Sequence, residues 1–338
     1  MKTPVLYVLT STNQDLYLEE LWVSLFSLHH YNDEVIVKVL SDSETSERIK
    51  ANPEVYSMIT ELISVDVPAD YPAKERSRYI KTNIRNLVDG DFLFIDTDTV
   101  ICASLDEIDN LPIKNIGMVP ELHGPFKEHL TYTFTVKDTN RIFGIDASDS
   151  PFWFNSGCML VRDNAFTHEF FEKWQANWKY SAFQKNNSSD QRALLKTDHD
   201  YGYVIECISD VYNAQIAMSI KWFYEAKIIH FWHFRKYYTP NMDFSPFFGH
   251  QIYRDLKKEG KMTQDIAHTI MNCKSSFRND SMICGVDEIN LIMHPMATIL
   301  WKQYQKKGFI HWVIDKMTKY VGLYQRGTNK MRRVLCKN

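Results

Sequence analysis

Apolar strands and amphipathic helices alternate along the N-terminal part of the chain. Four short apolar runs have the length of β-strands: Val5–Leu9, Val35–Leu40, Ile63–Val67 and Phe92–Ile95. Three stretches between them have apolar residues at helical spacing: residues 18–28, 44–59 and 76–87. Strands with few polar positions, separated by helices, are typical of a largely parallel sheet that is buried on both faces. The pattern therefore predicts an α/β fold.

The pattern becomes mixed after residue 98. Three further apolar runs predict strands: Ile116–Pro120, Met159–Val161 and Ile228–Phe231. Residues 163–178 have an aromatic helical face, and the chain beyond Pro246 contains helical segments without a clear strand. We therefore predict an α/β domain over residues 1–245 and a helical extension over residues 246–338.

Composition places the chain among ordinary globular proteins. Hydrophobic residues make up 44% of the 338 residues, and 20 Phe, 18 Tyr and 8 Trp exclude intrinsic disorder as the main state. The six cysteines form no C-x-x-C pair, so we predict reduced, mostly buried thiols. The N-terminus lacks a signal sequence, and the longest uncharged stretch, 289–301, is too short to span a membrane. These features predict a cytoplasmic protein.

Two carboxylates follow the apolar strand at Phe92–Ile95. Asp96 and Asp98 stand two residues apart, with Thr97 between them. Open α/β sheets bind ligands at the carboxyl ends of their strands, where two adjacent anions need a cation to offset their repulsion. A divalent cation that prefers oxygen ligands, Mn²⁺ or Mg²⁺, would supply it. The alternative is a solvated strand–turn junction, because Asp and Thr are common in turns.

A second interpretation of the acidic pair is the metal site of haloacid-dehalogenase-like phosphatases. Their pattern has Thr two residues after the second Asp and lies on a strand close to the N-terminus. Val100 occupies that position here, and the pair lies far from the N-terminus. The sequence therefore fits a phosphohydrolase poorly.

Six short segments occur in a defined order between residues 5 and 240. They are Leu9-Thr10-Ser11-Thr12-Asn13, Arg78-Tyr79-Ile80-Lys81, Asp96-Thr97-Asp98, Phe154-Asn155-Ser156-Gly157, Asp190-Gln191, and His230-Phe231 followed by Lys236. In this order and spacing the chain resembles the GT-A glycosyltransferases, and most closely glycosyltransferase family 8, the glycogenin and bacterial lipooligosaccharide galactosyltransferase type. The resemblance implies the GT-A fold, a Rossmann-like mixed sheet flanked by helices.

The resemblance also implies a role for each matched residue. Asp96, Asp98 and His230 would hold one Mn²⁺ or Mg²⁺ ion. Asp190 and Gln191 would face the anomeric carbon of the donor sugar, whose configuration is retained. The residues that would bind the nucleotide sugar are Thr10, Thr12, Asn13, Arg78, Lys81, Asp96, Thr97, Asn155 and Lys236. The implied activity is transfer of a hexose from a UDP-sugar to a glycan or lipid-linked acceptor in cell-surface polysaccharide synthesis.

Several of these residues also have a purely structural interpretation. His230 follows an apolar run and fits a hydrogen-bonded core histidine, whereas residues 155–157 fit a turn. Asp190 follows two serines and fits the first turn of a helix. Lys81 and Lys236 fit solvated surface lysines. The corresponding alternative function is a catalytically inactive protein that binds a sugar nucleotide or serves as a scaffold.

The segment after His230 departs from the family pattern. His233 stands where the family often has Gly, and Tyr237-Tyr238 stand where it has Pro-Trp. Glycine lets the backbone approach a phosphate closely, so the local contacts to the donor would differ. Leu195 replaces an Asn that usually follows the Asp-Gln pair. No motif identifies the acceptor site, for which residues 121–150 are a candidate loop.

Net charge is distributed unevenly along the chain. Residues 302–338 carry seven Lys and three Arg against one Asp, a net charge of +9, in a chain whose total is −3. Apolar residues of this segment share one helical face: Ile310, Val313, Ile314, Met317, Val321 and Tyr324. A cationic amphipathic helix predicts peripheral binding to the anionic inner face of a membrane. The alternative is a helix packed on the catalytic domain; the sequence contains no nucleic-acid recognition module.

Overall fold

The computed structural model describes residues 1–129, 131–216, 221–231, 245–275 and 294–320. The chain divides into two compact units, residues 1–281 and 282–338, and each is described by itself. Residues 246–281, which the sequence assigns to the helical extension, belong to the first unit.

The first unit is built around a mixed sheet. Ten strands lie in the described residues: β1 (Val5–Leu9), β2 (Val37–Ser41), β3 (Glu61–Ser64), β4 (Phe92–Ile95), β5 (Thr99–Ile101), β6 (Ile116–Pro120), β7 (Phe154–Val161), β8 (Glu206–Cys207), β9 (Ala214–Gln215) and β10 (Ile228–His230). Seven of them form one sheet in the order β3-β2-β1-β4-β7-β6-β8, and a second sheet has the order β5-β10-β9. The first four strands are parallel, whereas β7 runs antiparallel to β4 and β6. This arrangement confirms the predicted α/β class.

Helices occur in the described residues of both units. They are α1 (Tyr17–Tyr31), α2 (Ser43–Lys50), α3 (Pro53–Ser57), α4 (Ala73–Lys81), α5 (Tyr132–Phe143), α6 (Ala165–Lys185), α7 (Asp190–Asp200), α8 (Gln251–Glu259), α9 (Gln264–Met271) and α10 (Pro295–Gln305). Short 3₁₀ turns lie at Ile84–Asn86, Asp106–Asn110, Glu121–His123, Phe126–Glu128, Asp210–Tyr212 and Cys273–Ser275. Residues 309–320 are also helical.

Alternate residues of β1 point to opposite faces of the main sheet. Val5, Tyr7 and Leu9 pack in one apolar core together with α1, and Leu6 and Val8 pack in a second core together with α6. All five side chains are buried. The sheet is therefore covered on both faces, as the continuous apolar strands predict.

Local chemistry shifts two of the predicted helices. The helix predicted over residues 44–59 is split into α2 and α3, because Asn52 caps α3 through Val55 N and Pro53 occupies its first turn. The helix predicted over residues 76–87 ends at Lys81 and is followed by a 3₁₀ turn. In the first case a capping side chain and a proline start a new helix at the point where the pattern predicts a continuous one.

Strand β7 is longer than its apolar pattern indicates. It begins at Phe154 rather than at Met159, so Asn155, Ser156 and Gly157 lie in a buried strand. Asn155 pairs with Val119 of β6, beyond a register shift between Met118 and Val119 that skips Ser156 and Gly157. The turn interpretation of this segment is therefore wrong. The strand begins with polar residues, and the apolar pattern detects only its second half.

Part of the candidate acceptor loop is helical. Residues 121–150 contain two 3₁₀ turns and α5, whose buried positions are Thr135, Thr139 and Ile142. Thr139 Oγ1 donates a hydrogen bond of 2.7 Å to Thr135 O. Two of three buried positions are polar, so the helix lacks the apolar periodicity by which the sequence would reveal it.

Four of the six cysteines lie in the described residues and are free thiols. Cys158 and Cys273 are buried, Cys102 is half-buried and Cys207 is exposed. Cys102 Sγ lies 3.3 Å from Cys273 Sγ, a thiol–thiol hydrogen bond. The predicted reduced state holds for these four, whereas Cys207 is not buried.

The segment that follows residue 245 packs against α1. Phe247 is fully buried and its ring stacks on Phe231 at a centroid distance of 4.7 Å. Tyr253, Leu256 and Ile270 join the same apolar core as α1. These contacts explain why α8 and α9 belong to the first unit.

The described part of the second unit is a pair of helices. The Tyr304 ring at the end of α10 stacks on His311 at 4.2 Å, and Tyr304 Oη donates to Asp315 Oδ1 at 2.7 Å. Phe309 and Trp312 lie on the exposed side of the second helix. Within the described ranges, no helix has the length and apolarity that crossing a membrane requires.

We predict that Phe247→Ala lowers the free energy of unfolding by about 3–5 kcal/mol, because it removes a fully buried ring from the core shared with α1. Urea denaturation followed by circular dichroism measures the change. The matched control is Phe134→Ala, whose ring is 65% exposed and should cost less than about 0.5 kcal/mol. Equal losses in the two variants would contradict the packing of this segment against the first unit.

Candidate active site

A cleft of about 800 Å³ opens at the carboxyl ends of β1 and β4. Ten of the predicted site residues line it: Thr10, Arg78, Lys81, Asp96, Thr97, Asp98, Asn155, Asp190, Gln191 and His230. They come from the loop after β1, from α4, from the β4–β5 connection, from β7, from the start of α7 and from β10. The topology thus gathers residues that are far apart in sequence at the sheet edge where α/β proteins bind ligands.

The acidic pair forms the connection between the two sheets. Thr99 Oγ1 donates to Asp96 O at 2.9 Å, and Asp96 N donates to Gly157 O at 2.8 Å. On the other side, Phe231 N donates to Asp98 O at 3.0 Å. These backbone bonds hold the connection against β7 and β10, so one ligand atom from each of Asp96, Asp98 and His230 lies within 4.8 Å of the others.

His230 presents its Nε2 atom to the acidic pair. Nε2 lies 3.1 Å from Asp98 Oδ1, and Nδ1 lies 2.9 Å from Asn213 Oδ1. Burial acts to lower the pKa of His230, but the neighbouring Asp98 outweighs it and raises that pKa. A neutral ring whose Nδ1–H donates to Asn213 has its Nε2 lone pair free for a metal ion.

These three residues fit a divalent cation. Two carboxylates and one imidazole supply hard oxygen ligands and a nitrogen ligand, the donor set that Mn²⁺ accepts, and Mg²⁺ would use the carboxylates. The core interpretation of His230 is only half correct, since the ring is 2% exposed and hydrogen-bonded but also faces the cleft.

Lys81 lies between two carboxylates. Its Nζ is 2.9 Å from Asp96 Oδ1, 3.1 Å from Asp96 Oδ2 and 3.6 Å from Asp190 Oδ2. The residue is only 5% exposed, so the interpretation of Lys81 as a solvated lysine is wrong. Its charge offsets the repulsion between carboxylates of β4 and α7.

Asp190 begins α7 and remains ionised. Its Oδ2 accepts a hydrogen bond of 2.8 Å from Ser156 Oγ, and Arg78 Nε lies 3.7 Å from its Oδ1. Burial acts to raise the pKa of Asp190, but the Lys81 and Arg78 cations outweigh it and lower that pKa to about 2. The group therefore offers the cleft a fixed negative charge and no proton.

Gln191 lies beside Asp190 with its amide nitrogen already bonded. Nε2 donates to Glu121 Oε2 at 2.8 Å and to Phe154 O at 3.1 Å. The amide oxygen is consequently the atom that this side chain can offer to a ligand.

Glu121 is a site residue that the sequence does not single out. It is 2% exposed, and its Oε2 accepts hydrogen bonds from Asn155 Nδ2 and Gln191 Nε2, each 2.8 Å long. Burial raises the pKa of Glu121, although those two hydrogen bonds act to lower it. The sequence feature that indicates a role for Glu121 is its position directly after β6, because polar residues that follow a buried strand lie at the ligand-binding edge of the sheet.

The first loop reaches the cleft only at Thr10. Thr12 donates to Asp15 Oδ2 from both N and Oγ1, at 2.7 and 2.8 Å, and Asn13 O accepts from Lys257 Nζ at 2.9 Å. Neither Thr12 nor Asn13 lines the cleft. Lys236, with the departures at residues 233 and 237–238, lies outside the described residues.

No protein-family model and no curated protein matches this sequence. Solved structures resemble its fold. The galactosyltransferase LgtC, in complex with donor and acceptor sugar analogues, aligns with a TM-score of 0.50 at 14% sequence identity, and the match covers 78% of this chain and 98% of LgtC. The likeness confirms the predicted GT-A fold.

Two other glycosyltransferase structures align less closely. Mouse xyloside xylosyltransferase 1 has a TM-score of 0.47 at 14% identity, with 68% of this chain and 97% of that chain covered. The bifunctional glycosyltransferase WbbM has a TM-score of 0.49 at 16% identity, with 80% and 51% covered.

We predict that Gly157→Ala weakens Mn²⁺ binding by about 10-fold or more, the effect expected when a metal-bound histidine loses its support. A Cβ atom at Gly157 would lie 2.4 Å from His230 Cε1 and 2.8 Å from Asn155 Oδ1, so the buried ring must shift. Titration of the protein with Mn²⁺, followed by electron paramagnetic resonance, measures the dissociation constant.

The matched control for this variant is Gly124→Ala. Gly124 has an extended backbone, with φ of −154°, and its added Cβ would meet nothing within 4 Å. We expect it to bind Mn²⁺ like the wild type. Unchanged Mn²⁺ affinity in Gly157→Ala would contradict a metal site at His230.

Proposed function

We propose that this protein is a metal-dependent glycosyltransferase. It transfers a hexose from a UDP-sugar to a glycan or lipid-linked acceptor and retains the anomeric configuration. The observation that carries the proposal is the convergence of Asp96, Asp98 and His230 ligand atoms in a cleft that Lys81 and Arg78 also line. A cation site beside basic side chains suits a diphosphate, which carries its charge on oxygen atoms.

The ion would be held by Asp96, Asp98 and His230. When bound, it supplies Lewis-acid stabilisation of the charge that develops on the departing diphosphate. The ion would also accept oxygen atoms of the diphosphate as ligands. The chain's own contribution is to fix these ligands through the backbone bonds on both sides of the acidic pair.

The two basic residues of α4 have different roles in this proposal. The Arg78 side chain is 33% exposed, whereas that of Lys81 is 6% exposed. Arg78 therefore contacts the diphosphate, and Lys81 holds Asp96 in place. Thr10, Thr97 and Asn155 contact the nucleotide or the sugar; Thr12, Asn13 and Lys236 are donor contacts that only the sequence resemblance supports.

Asp190 and Gln191 act at the sugar. The Asp190 carboxylate, with its pKa of about 2, stabilises positive charge that develops at the anomeric carbon. The amide oxygen of Gln191 provides a second partial negative charge. The acceptor hydroxyl attacks on the face from which the diphosphate departs and gives its proton to the departing phosphate oxygen, which yields retention without a covalent intermediate.

The contacts of Asp96 argue against the phosphohydrolase alternative. Both of its carboxylate oxygens accept hydrogen bonds from Lys81, which reduces their reactivity as nucleophiles. Val100, where the phosphatase pattern has Thr, is fully buried in β5 and cannot contact a ligand. The other alternative, an inactive protein that binds a sugar nucleotide or serves as a scaffold, is distinguished from a transferase by measuring turnover.

The second unit supports a proposal of peripheral attachment to the inner face of a membrane. The exposed fractions of Phe309, Trp312, Met317 and Tyr320 are 77%, 57%, 62% and 70%. Lys316 lies on the same helix, with Nζ 5.9 Å from the Trp312 ring centroid. Exposed aromatic and basic residues on one helix suit an interface with anionic lipids. Val321 and Tyr324, which the sequence predicts on one face with Ile310, Val313, Ile314 and Met317, lie outside the described residues.

We predict that Asp98→Asn lowers the rate of UDP release from a UDP-hexose by about 100-fold or more, because loss of the Lewis acid costs several kcal/mol. EDTA should have a similar effect on the wild type. A panel of UDP-, GDP- and CMP-sugars with Mn²⁺, first screened by thermal shift, identifies the donor. Asp265→Asn, an exposed acid on α9, is the control and should retain wild-type turnover.

Equal turnover in Asp98→Asn and the wild type would contradict a transferase whose metal ion is held by Asp98. Binding of a UDP-sugar without any turnover, across a range of glycan and lipid-linked acceptors, would instead favour the inactive scaffold. Release of inorganic phosphate from phosphate esters would favour the hydrolase.

We predict that Phe309→Ser combined with Trp312→Ser reduces binding to phosphatidylglycerol-containing vesicles by about 10-fold or more, because each inserted ring contributes about 1.5–3 kcal/mol. Vesicle sedimentation measures the partition coefficient, and neutral phosphatidylcholine vesicles test the role of charge. Phe134→Ser, an exposed phenylalanine of the first unit, is the control. Equal partitioning of all three proteins would rule out attachment through this helix.

A further inference from the structure

We propose that Glu121 is a positioning residue that sets the orientation of both His230 and Gln191. It does so through hydrogen bonds and touches neither the metal nor the sugar. The inference deepens the proposed function and rests on it for its catalytic consequence. The hydrogen bonds from which we infer this positioning role are observed in the structure whatever reaction the protein catalyses.

The orientation of Asn155 follows from groups whose hydrogen-bonding role is fixed. Its Nδ2 lies 2.8 Å from Glu121 Oε2, which accepts, and its Oδ1 lies 2.9 Å from Gly157 N, which can only donate. Reversing the amide would oppose oxygen to oxygen at one end and two N–H donors at the other. Asn155 therefore has one favourable orientation.

That orientation passes to His230 through one further amide. Asn155 Oδ1 accepts from Asn213 Nδ2 at 2.9 Å, which turns Asn213 Oδ1 towards His230 Nδ1, also at 2.9 Å. Nδ1 must then carry a hydrogen atom, so in the neutral ring the lone pair belongs to Nε2, which faces the acidic pair. The chain Glu121–Asn155–Asn213–His230 thus selects the imidazole tautomer that can bind a metal ion.

Water has little access to any link of this chain. The exposed fractions of Glu121, Asn155, Asn213 and His230 are 2%, 3%, 0% and 2%. Hydrogen bonds in such surroundings are stronger than in water, and an unpaired polar group there is costly. The chain therefore behaves as a unit rather than as four independent contacts.

The same Glu121 oxygen also holds Gln191. Oε2 accepts from Gln191 Nε2 at 2.8 Å, which directs the amide nitrogen into the protein and leaves the amide oxygen for the sugar. One carboxylate oxygen consequently orients the metal-binding histidine in one direction and the residue beside the anomeric carbon in the other.

The backbone on both sides of Glu121 is held firmly enough for this role. Glu121 N donates to Trp153 O at 2.6 Å. Gln215 Nε2 donates to Pro120 O, and Gln215 Oε1 accepts from Leu122 N, each at 3.0 Å. The side chain of Gln215 thus bridges the residues before and after Glu121 and fixes where its carboxylate lies.

The test compares Glu121→Met with Glu121→Gln. Methionine keeps the volume but offers no oxygen acceptor, so we expect Mn²⁺ affinity to fall by about 10- to 100-fold, as for other groups that orient a metal-bound histidine. Glutamine keeps one acceptor oxygen and should restore affinity close to that of the wild type. Circular dichroism melts establish that both variants are folded. Equal Mn²⁺ affinity of Glu121→Met and the wild type overturns the proposal.

A double-mutant cycle distinguishes coupling through the hydrogen-bonded series Glu121–Asn155–Asn213–His230 from a general loss of packing. Asn213→Leu disconnects His230 from Glu121, so adding Glu121→Met to it should cost little further Mn²⁺ affinity. Full additivity of the two losses overturns the chain. The kcat of Glu121→Met should fall further than that of Asn213→Leu, because only the first variant also releases Gln191.

A metal-free measurement separates this proposal from the proposed function. Long-range ¹H–¹⁵N spectra of histidine-labelled Asp98→Ala protein, at alkaline pH where the ring is neutral, report which nitrogen carries the hydrogen atom. Asp98 is removed because its Oδ1, 3.1 Å from Nε2, would otherwise compete for that hydrogen atom. A His230→Gln variant assigns the signal. We expect Nδ1–H in Asp98→Ala and a mixture when Glu121→Met is added. Nε2–H in Asp98→Ala overturns the positioning proposal even if the wild type transfers sugar, whereas Nδ1–H, with a wild type that shows no turnover, supports positioning and contradicts only the proposed function.

Discussion

The buried Lys81 ammonium is the interaction on which the cleft depends. It lies within 3.6 Å of carboxylate oxygens from both Asp96 and Asp190, which stand at the end of β4 and at the start of α7. Loss of one partner from a buried ion pair costs about 3–5 kcal/mol, because the remaining charge is left uncompensated. Lys81 therefore links α4 to the end of β4 and to the start of α7, and its charge compensates the two carboxylates that meet there.

The antiparallel strand β7 makes the site possible because it lies between β4 and β6. Its pairing places Gly157 next to Asp96, whose backbone N–H donates to Gly157 O. The missing side chain at Gly157 leaves room for the His230 ring, which arrives from the second sheet. Sheet order and one glycine thus decide whether residues from three distant segments can surround a single ion.

The parts of the site that the sequence could predict are those with a local signal. Asp96 and Asp98 follow an apolar strand, and their charge and position are visible in a few adjacent residues. Glu121 also follows an apolar strand, but as a single acid, and Asn213 follows none. The roles of both come from hydrogen bonds to Asn155, which is 34 and 58 residues away. The same limit explains α5, whose buried threonines pack through tertiary contacts that no periodic pattern records.

The distribution of charge gives an argument for a metal ion that does not depend on family resemblance. With +9 in residues 302–338 and −3 in total, residues 1–301 carry −12, and Asp96, Asp98 and Asp190 line the cleft itself. Lys81 is paired with Asp96, and Arg78 and Lys81 both lie close to Asp190. A diphosphate that entered this cleft would meet cations already matched to carboxylates. A divalent ion at Asp96, Asp98 and His230 would supply the missing positive charge, so the proposed donor would need the ion in order to bind.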